Sequence, residues 1–143
     1  FNINDYMFVG IIDSVLNNED YLIICDNKSK TLNERSKKGK ATKSDKELDS
    51  YLRQLFIYSI PVNKIFGKQV DKLMFNCFRS QKVITEPFDI NSYSEAKQWV
   101  LDKISSIKSE EEWEPTVNYF YCKNLCDMQE HCEYYEINFS QKE

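Results

Sequence analysis

The chain has 143 residues, of which 41% are hydrophobic, 14% aromatic and 29% charged, and this composition predicts a globular core rather than a disordered chain. The longest uninterrupted apolar run, residues 7–12, is far shorter than the roughly 20 residues that a membrane-spanning helix needs, so a transmembrane protein is excluded. Three glycines and three prolines are too few for a collagen-like or linker-like chain.

The net charge of −4 is unevenly distributed. Residues 28–46, which we call the basic segment, hold eight basic and two acidic side chains, whereas residues 86–143 hold thirteen acidic and five basic ones. A segment of this kind predicts a polyanionic partner, or alternatively a solvated loop whose lysines only keep it in water.

Two stretches rich in β-branched and aromatic residues, 6–16 and 21–26, predict strands. Residues 17–20 between them are turn formers, so the two strands are expected to pair as an antiparallel hairpin. The basic segment that follows is polar and longer than most loops of compact domains, and we expect it to be functional or disordered.

From Asp45 onward, apolar residues recur at helical spacing and predict a mostly buried helix. Pro61 should kink or end this helix near Ile60, and Gly67 is expected to be its final stop. Residues 72–79 and 82–85 are then predicted to be two further strands of the same sheet.

A second helix is predicted over residues 91–109, with Ser92 and Glu95 at the spacing of a capping box and one apolar face that covers the sheet. The tail that follows, residues 113–135, is aromatic and lacks clear periodicity. We expect a bound metal, rather than helices or paired strands, to organise this tail.

Three candidate catalytic residues lie near the ends of the first two predicted strands. Asp13 ends the apolar run of the first strand, Asp26 ends its hairpin partner, and Lys28 shares a side with Asp26 because side chains alternate along a strand. Mg²⁺ commonly takes one or two carboxylates, and Asn27 offers its backbone carbonyl as a further oxygen. The pattern predicts a metal site with a lysine that positions a nucleophile. The alternative is that all are ordinary strand-end residues.

The order of these residues resembles the RecB-like branch of the PD-(D/E)xK nuclease superfamily over most of the chain. Residues 10–13 (GIID) resemble that family's Gly-x-apolar-Asp strand motif, and residues 23–29 (IICDNKS) resemble its strand motif that carries Asp-x-Lys. Residues 54–58 (QLFIY) match its helical Gln-x-x-x-Tyr motif, in which two residues four apart share one helix face.

The resemblance implies that Asp13 and Asp26 hold the metal, that Lys28 serves the attacking water, and that Gln54 and Tyr58 line the substrate side. Members of the family usually also carry a His or Glu on a helix upstream of the first strand. Because the sequence begins at Phe1, we expect that helix to lie outside it.

Five cysteines form an odd set, which favours a reducing cytoplasm over a closed disulfide framework. Three of them, Cys122, Cys126 and Cys132, resemble the C-terminal cluster of iron–sulfur RecB-like nucleases, which include the CRISPR-adaptation exonucleases and the AddB-type helicase-nucleases. This resemblance implies a [4Fe–4S] cluster whose fourth cysteine lies upstream.

Other interpretations of the tail remain open. Zinc could replace the cluster, although His131 is awkwardly adjacent to Cys132 for both to bind one ion. Free structural thiols in a packed aromatic tail, or a disulfide, are the remaining alternatives. Cys25 and Cys77 are predicted to be core residues.

These observations predict an α/β fold of the PD-(D/E)xK restriction-endonuclease-like type, with a mixed central sheet flanked by helices. Residues 1–112 are expected to form the nuclease core, and residues 113–143 a cysteine-bearing C-terminal extension packed on it. The predicted activity is Mg²⁺- or Mn²⁺-dependent hydrolysis of DNA phosphodiester bonds, with cleavage from DNA ends as in an exonuclease. Basic side chains are expected to contact DNA phosphates without reading bases. They are Lys30, Arg35, Lys37, Lys38, Lys40 and Lys43.

Two further functional interpretations are open. The first is a non-catalytic DNA-binding or assembly module that keeps a nuclease scaffold within a recombination, repair or phage protein. The second is a zinc-stabilised protein-interaction domain. The sequence does not determine the cleavage polarity, the preferred strandedness of the substrate or the oligomeric state.

Overall fold

The chain opens with a small hairpin and continues into a four-stranded sheet. In the computed structural model, which describes residues 1–37, 40–112 and 115–139, the hairpin pairs two short antiparallel strands. The strands in chain order are β1 (Asn2–Ile3), β2 (Tyr6–Met7), β3 (Ser14–Asn17), β4 (Leu22–Lys28), β5 (Lys72–Cys77) and β6 (Lys82–Pro87). The last four form one sheet in the order β3-β4-β5-β6.

The pairing makes this sheet mixed. β3 and β4 are antiparallel, β4 and β5 are parallel, and β5 and β6 are antiparallel. β4 is an inner strand, and its first four residues are all buried, as expected for a strand that is covered on both faces. The predicted α/β class with a mixed sheet flanked by helices is confirmed, and so are the β3–β4 hairpin and the two later strands.

The predicted first strand, residues 6–16, is not continuous. β2 ends at Met7, residues 8–13 belong to no strand, and β3 begins only at Ser14. Asp13 therefore lies in a bend before β3 and does not end a strand, which corrects its predicted position. β-Branched and aromatic residues indicate extended backbone, but extended backbone becomes a strand only where a neighbour supplies hydrogen bonds.

The first long helix, α1 (Lys43–Phe66), packs against β4 and β5. Thr42 caps its N-terminus in a capping box with Asp45, and Gly67 ends it in the left-handed conformation at φ 64°, as predicted. The helix does not end near Ile60, one of the two predicted effects of Pro61, because it continues through that residue. Val62, one residue later, is buried in the core, and its burial helps to offset the missing hydrogen bond.

The basic segment is fixed to the body at several points. Leu32 is buried in the core, and the backbone N–H of Ser36 donates to Asp45 Oδ1 at 2.7 Å. Hydrogen bonds from the N–H of Ser36 and from the N–H and hydroxyl of Thr42 lower the pKa of Asp45. The described part of this segment is therefore an ordered connection whose lysines project from a fixed backbone.

The second long helix, α2 (Ile90–Ser109), is present as predicted, but its start differs. Asp89 Oδ2 accepts a 2.7 Å hydrogen bond from the N–H of Ser92, so Asp89 caps this helix and the expected box of Ser92 with Glu95 is wrong. Ala96 carries the helix into the core. The carboxylate of Asp89 gains the hydrogen bonds of the first turn, which lower its pKa.

The tail contains helices, in contrast to the expectation that a metal alone would organise it. They are α3 (Tyr119–Asn124), a single 3-10 turn (Gln129–His131) and α4 (Glu133–Phe139). Asn118 caps α3 through a hydrogen bond from the N–H of Tyr121. These helices are too short for the apolar spacing of the sequence to reveal them.

The described residues form two compact units, one within residues 1–105 and the other within residues 106–143. The boundary between the two units lies inside α2. The expected packing of residues 113–143 on residues 1–112 stays a prediction; Trp113, with which that extension was expected to begin, lies outside the described residues. Within the described ranges, no helix combines the length and apolar character needed to cross a membrane.

Candidate active site

The candidate site lies where β3 begins and β4 ends. Ser14 pairs with Cys25 in the antiparallel register. Asp13 precedes Ser14 and Asp26 follows Cys25, so the two aspartates lie side by side at this end of the pair. Asp13 Oδ2 also accepts a 2.8 Å hydrogen bond from the backbone N–H of Asn27. The structure therefore brings Asp13 to the part of β4 that carries Asp26, although Asp13 is not itself in a strand.

Lys28 is held between a carboxylate and an aromatic ring. Its Nζ lies 2.8 Å from Asp26 Oδ2, and the two side chains are only 20% and 14% exposed. The same Nζ lies 4.6 Å from the centroid of the Tyr51 ring on α1. Tyr51 in turn makes an edge contact with Phe75 on β5, with the ring centroids 6.2 Å apart. The ammonium group of Lys28 is thereby fixed beside Asp26 by two side chains from different elements.

Gln54 and Tyr58 meet on one face of α1. Gln54 Nε2 donates to the Tyr58 hydroxyl at 2.9 Å, as expected for residues four apart on a helix. The strand motif also reaches this face, because a Cβ atom added to Gly10 would lie 2.8 Å from Cε1 of the Tyr58 ring. Only a residue without a side chain fits there. The segment leading to Asp13 therefore lies against the face of α1 that carries Gln54 and Tyr58.

The donor set at the ends of these strands fits a divalent cation. Asp26 Oδ2 is buried and accepts no directed hydrogen bond among the described residues, so the contact with Lys28 is an ion pair without hydrogen-bond alignment. The Lys28 ammonium at 2.8 Å already neutralises part of the charge on this oxygen, and a divalent cation would satisfy it by a direct contact. Within the described ranges, no cluster of three or more His, Cys, Asp or Glu side chains is arranged to hold a metal. Two carboxylates are nevertheless enough for Mg²⁺, which completes its shell with water and phosphate oxygens.

Cys25 reports on the local field. Burial, followed by the negative charges of Asp26 and Asp13, raises the pKa of its thiol. Both carboxylates are therefore near enough to act on the same buried group. Cys25 and Cys77 are buried in the core, as predicted.

Some of the predicted phosphate-contacting side chains are already paired. Lys30 forms an ion pair with Glu47, and Arg35 lies 2.8 Å from Asp49 and 3.6 Å from Glu86. The others that the structure describes are exposed and make no ion pair within the described ranges; they are Lys37, Lys40 and Lys43. Lys38 lies outside the described residues.

The structure does not assemble the tail cysteines into a metal site. Cys122, Cys126 and Cys132 are half-buried and free, and they are part of no three-ligand metal group within the described ranges. His131, in the adjacent 3-10 turn, joins no such group either. The cluster and zinc interpretations of these residues stay predictions, and no step of the chemistry is derived through a cluster or a zinc ion.

Sequence reasoning missed two supports of the site. The apolar pattern places Tyr51 in the buried stripe of α1, although its position three residues before Gln54 puts both on neighbouring turns of one face. Asn76 on β5 donates through Nδ2 to Asn27 Oδ1 at 2.8 Å, and this pair follows the parallel register in which Asn27 faces Asn76. No local pattern reveals it, because the two residues lie far apart in the chain.

One comparison with known proteins identifies a family. A family model described as the PD-(D/E)XK nuclease superfamily matches residues 1–134. Neither the curated proteins nor the solved structures contain a match to this chain.

Proposed function

The chain belongs to the PD-(D/E)XK nuclease superfamily, and on this premise we propose that it is a divalent-metal-dependent deoxyribonuclease whose active site contains Asp13, Asp26 and Lys28. The observation that carries the proposal is the buried Asp26 Oδ2, which has no directed hydrogen bond within the described ranges and lies 2.8 Å from Lys28 Nζ. Burial of this ion pair costs desolvation free energy, so the pair is weak evidence for a stabilising role and supports a functional one.

The roles of the residues follow from their positions. Asp13 and Asp26 would hold Mg²⁺ or Mn²⁺, with the Asn27 carbonyl as a further oxygen. When bound, the ion supplies Lewis-acid stabilisation of the scissile phosphate. The Lys28 ammonium orients the attacking water and offsets the negative charge that develops on the phosphate in the transition state. Tyr51 keeps that ammonium beside Asp26.

Gln54 and Tyr58 would line the substrate side of this site. Their hydrogen bond of 2.9 Å fixes both polar ends on the face of α1 against which the segment before Asp13 packs. The Gln-x-x-x-Tyr pair supports assignment to the RecB-like branch, whose resemblance also motivates the further proposal that cleavage proceeds from DNA ends. The five free cysteines support a reducing compartment such as the cytoplasm.

The test of this function compares two DNA substrates. We expect the protein to degrade linear, end-labelled DNA in Mg²⁺ or Mn²⁺ and to leave it intact in EDTA. A covalently closed circle of the same sequence should resist, since it offers no end. Cleavage of both forms would support the nuclease proposal and contradict the exonuclease proposal. Binding of linear DNA without cleavage in either metal would contradict the nuclease proposal and support the interpretation as a non-catalytic DNA-binding module.

A further inference from the structure

A polar cleft lies on the side of α1 away from the candidate active site. It has a volume of about 630 Å³ and lies between α1, the end of β6, the start of α2 and Arg35 of the basic segment. Its wall on α1 includes Asp49 and Arg53, whereas the candidate active site faces Tyr51, Gln54 and Tyr58. At about 100° per residue these two sets point to nearly opposite sides of the helix. The cleft is therefore separate from the metal-binding edge.

Several charged groups in the cleft are already satisfied. Arg35 lies between Asp49 at 2.8 Å and Glu86 at 3.6 Å. Asp89 accepts the N–H of Ser92 at the start of α2. These contacts make a rigid frame, and they remove most of the acidic side chains as free partners for a ligand.

Three other side chains in the same cleft have polar groups without a hydrogen-bond partner among the described residues. The Arg53 guanidinium lies over the Trp99 ring at 4.4 Å from its centroid, but it makes no hydrogen bond or ion pair within the described ranges. Glu95 and the indole N–H of Trp99 also lack a hydrogen-bond partner in the part of the chain that the structure describes. Trp99 is 43% exposed. The cleft thus presents a guanidinium from α1 stacked on an aromatic ring of α2, and a carboxylate one helical turn before that ring.

This combination matches the chemistry of a nucleobase. A guanidinium presents paired donors that fit two adjacent acceptors, as O6 and N7 of guanine are. A carboxylate accepts from adjacent N–H groups, which guanine carries on its other edge, and unpaired bases commonly stack on aromatic or guanidinium planes. The volume is within the range of about 300–1,000 Å³ that small-ligand sites occupy.

The charge of the cleft decides which part of a nucleotide enters it. Asp49, Glu86, Asp89 and Glu95 outnumber the two arginines, so the cleft is net negative and disfavours a phosphate group. A neutral base carries no such penalty. The basic segment, which also brings Arg35 to the cleft, has exposed lysines that remain available for the attached phosphates; they are Lys37, Lys40 and Lys43.

We propose that this cleft binds one unpaired base of a nucleic acid, with guanine preferred, through the Arg53–Trp99 stack and Glu95. The proposal rests on the proposed function for the source of the base, since a deoxyribonuclease would meet unpaired bases at frayed DNA ends. Base recognition here sets where the strand lies before it crosses α1 to the Asp13 and Asp26 site.

The experiment measures binding without cleavage. Guanosine and the other three nucleosides are titrated against the protein in EDTA, followed by calorimetry. Short oligothymidylates with and without guanine at every third position are then compared by fluorescence anisotropy. We expect guanosine to bind more tightly than the other nucleosides, and guanine in the oligonucleotide to raise affinity about tenfold, the size of one good base contact.

The variants Trp99→Ala, Arg53→Gln and Glu95→Gln should each abolish this preference. Arg79→Gln and Glu110→Gln, which do not line the cleft, should keep it. Glu95→Gln is nearly isosteric, so it keeps the test valid if Trp99→Ala disturbs folding. Equal affinity for all four nucleosides, or a guanine preference that survives in the cleft variants, would overturn the proposal.

The outcome is independent of the active-site proposal. Metal-dependent cleavage without a base preference would overturn the cleft assignment alone. Guanosine binding that disappears in Glu95→Gln, in a protein that cuts no DNA, would support the cleft and overturn the nuclease.

Discussion

At the scale of single residues, the site depends on side chains that hold others in place. The Lys28 ammonium is fixed on one side by Asp26 and on the other by the Tyr51 ring. The Asp-x-Lys spacing predicts that Asp26 and Lys28 share a side, and the structure agrees. The Asp-x-Lys spacing does not reveal the contact with Tyr51, because a contact between a strand and a helix depends on tertiary packing.

Tyr51 is a positioning residue, and its ring rather than its hydroxyl is the contact with Lys28. Replacing it by leucine should lower kcat for DNA cleavage by about two- to thirtyfold, because a partly buried cation–π contact is worth roughly 0.5–2 kcal/mol. KM should change little. Tyr51→Phe keeps the ring and should retain nearly full kcat.

A thermal melt of both Tyr51 variants provides the control for folding, since the ring also contacts Phe75. If Tyr51→Phe loses as much activity as Tyr51→Leu, the ring is not the positioning element.

Gly10 provides the space that the Tyr58 ring occupies. Gly10→Ala should destabilise the protein by about 1–3 kcal/mol, because the new methyl group would lie 2.8 Å from Cε1 of Tyr58. Urea unfolding measures the change. In a double-mutant cycle, Tyr58→Leu should remove most of the cost of Gly10→Ala, since the clash disappears with the ring. Additive effects in that cycle would mean that Gly10 acts elsewhere.

At the scale of elements, periodicity located most of the fold and failed where tertiary contacts decide. The β3–β4 hairpin, β5, β6 and α2 follow from apolar patterns and turn formers. α1 crosses Pro61 because the core on the far side, including Val62, outweighs one missing hydrogen bond. The cap of α2 is Asp89, which precedes residue 91, the predicted start of that helix.

The N-terminal cap of α1 makes stability depend on acid pH. The pKa of Asp45 is lowered in the folded state, so the folded protein binds fewer protons there than the unfolded chain. The stability that Asp45 contributes is therefore complete above the unfolded pKa of about 3.9 and is lost as pH falls through the lower folded value. Asp45→Asn should unfold at lower denaturant concentration than the wild type at neutral pH, and this difference should shrink in acid.

The measurement is urea unfolding between neutral pH and the acid limit of the folded state. Asp5→Asn, on the exposed turn between β1 and β2, is the matched control. A gap between wild type and Asp45→Asn that stays constant down to the acid limit would contradict the role assigned to these hydrogen bonds.

At the scale of the whole molecule, some side chains of the basic segment form ion pairs within the protein, and others remain exposed to a partner. Its charge excess is evident in the sequence, but the composition does not show that carboxylates on α1 and β6 already hold Lys30 and Arg35. The lysines that remain exposed are the ones expected to meet DNA phosphates. The helices of the tail could not be predicted either, because short helices rely on caps such as Asn118 rather than on periodicity.

Salt dependence of DNA binding tests this division. Changing both Lys37 and Lys40 to glutamine should lower the slope of log affinity against log salt by roughly 0.9 for each duplex phosphate that is no longer neutralised. Lys30→Gln should change it less, because Glu47 already neutralises that ammonium. Lys64→Gln, at the other end of α1, serves as control. An unchanged slope in the Lys37 and Lys40 variant would exclude this segment from the DNA interface.

The most direct test of the central claim is the rate of metal-dependent cleavage of end-labelled linear DNA by Asp26→Asn beside Asp20→Asn. Asp20 lies exposed in the β3–β4 loop, so its variant controls for the removal of one carboxylate. We predict that Asp26→Asn loses cleavage by several orders of magnitude and keeps DNA binding and folding, whereas Asp20→Asn cleaves as the wild type does. Cleavage by Asp26→Asn at the wild-type rate would contradict a metal site at Asp13 and Asp26.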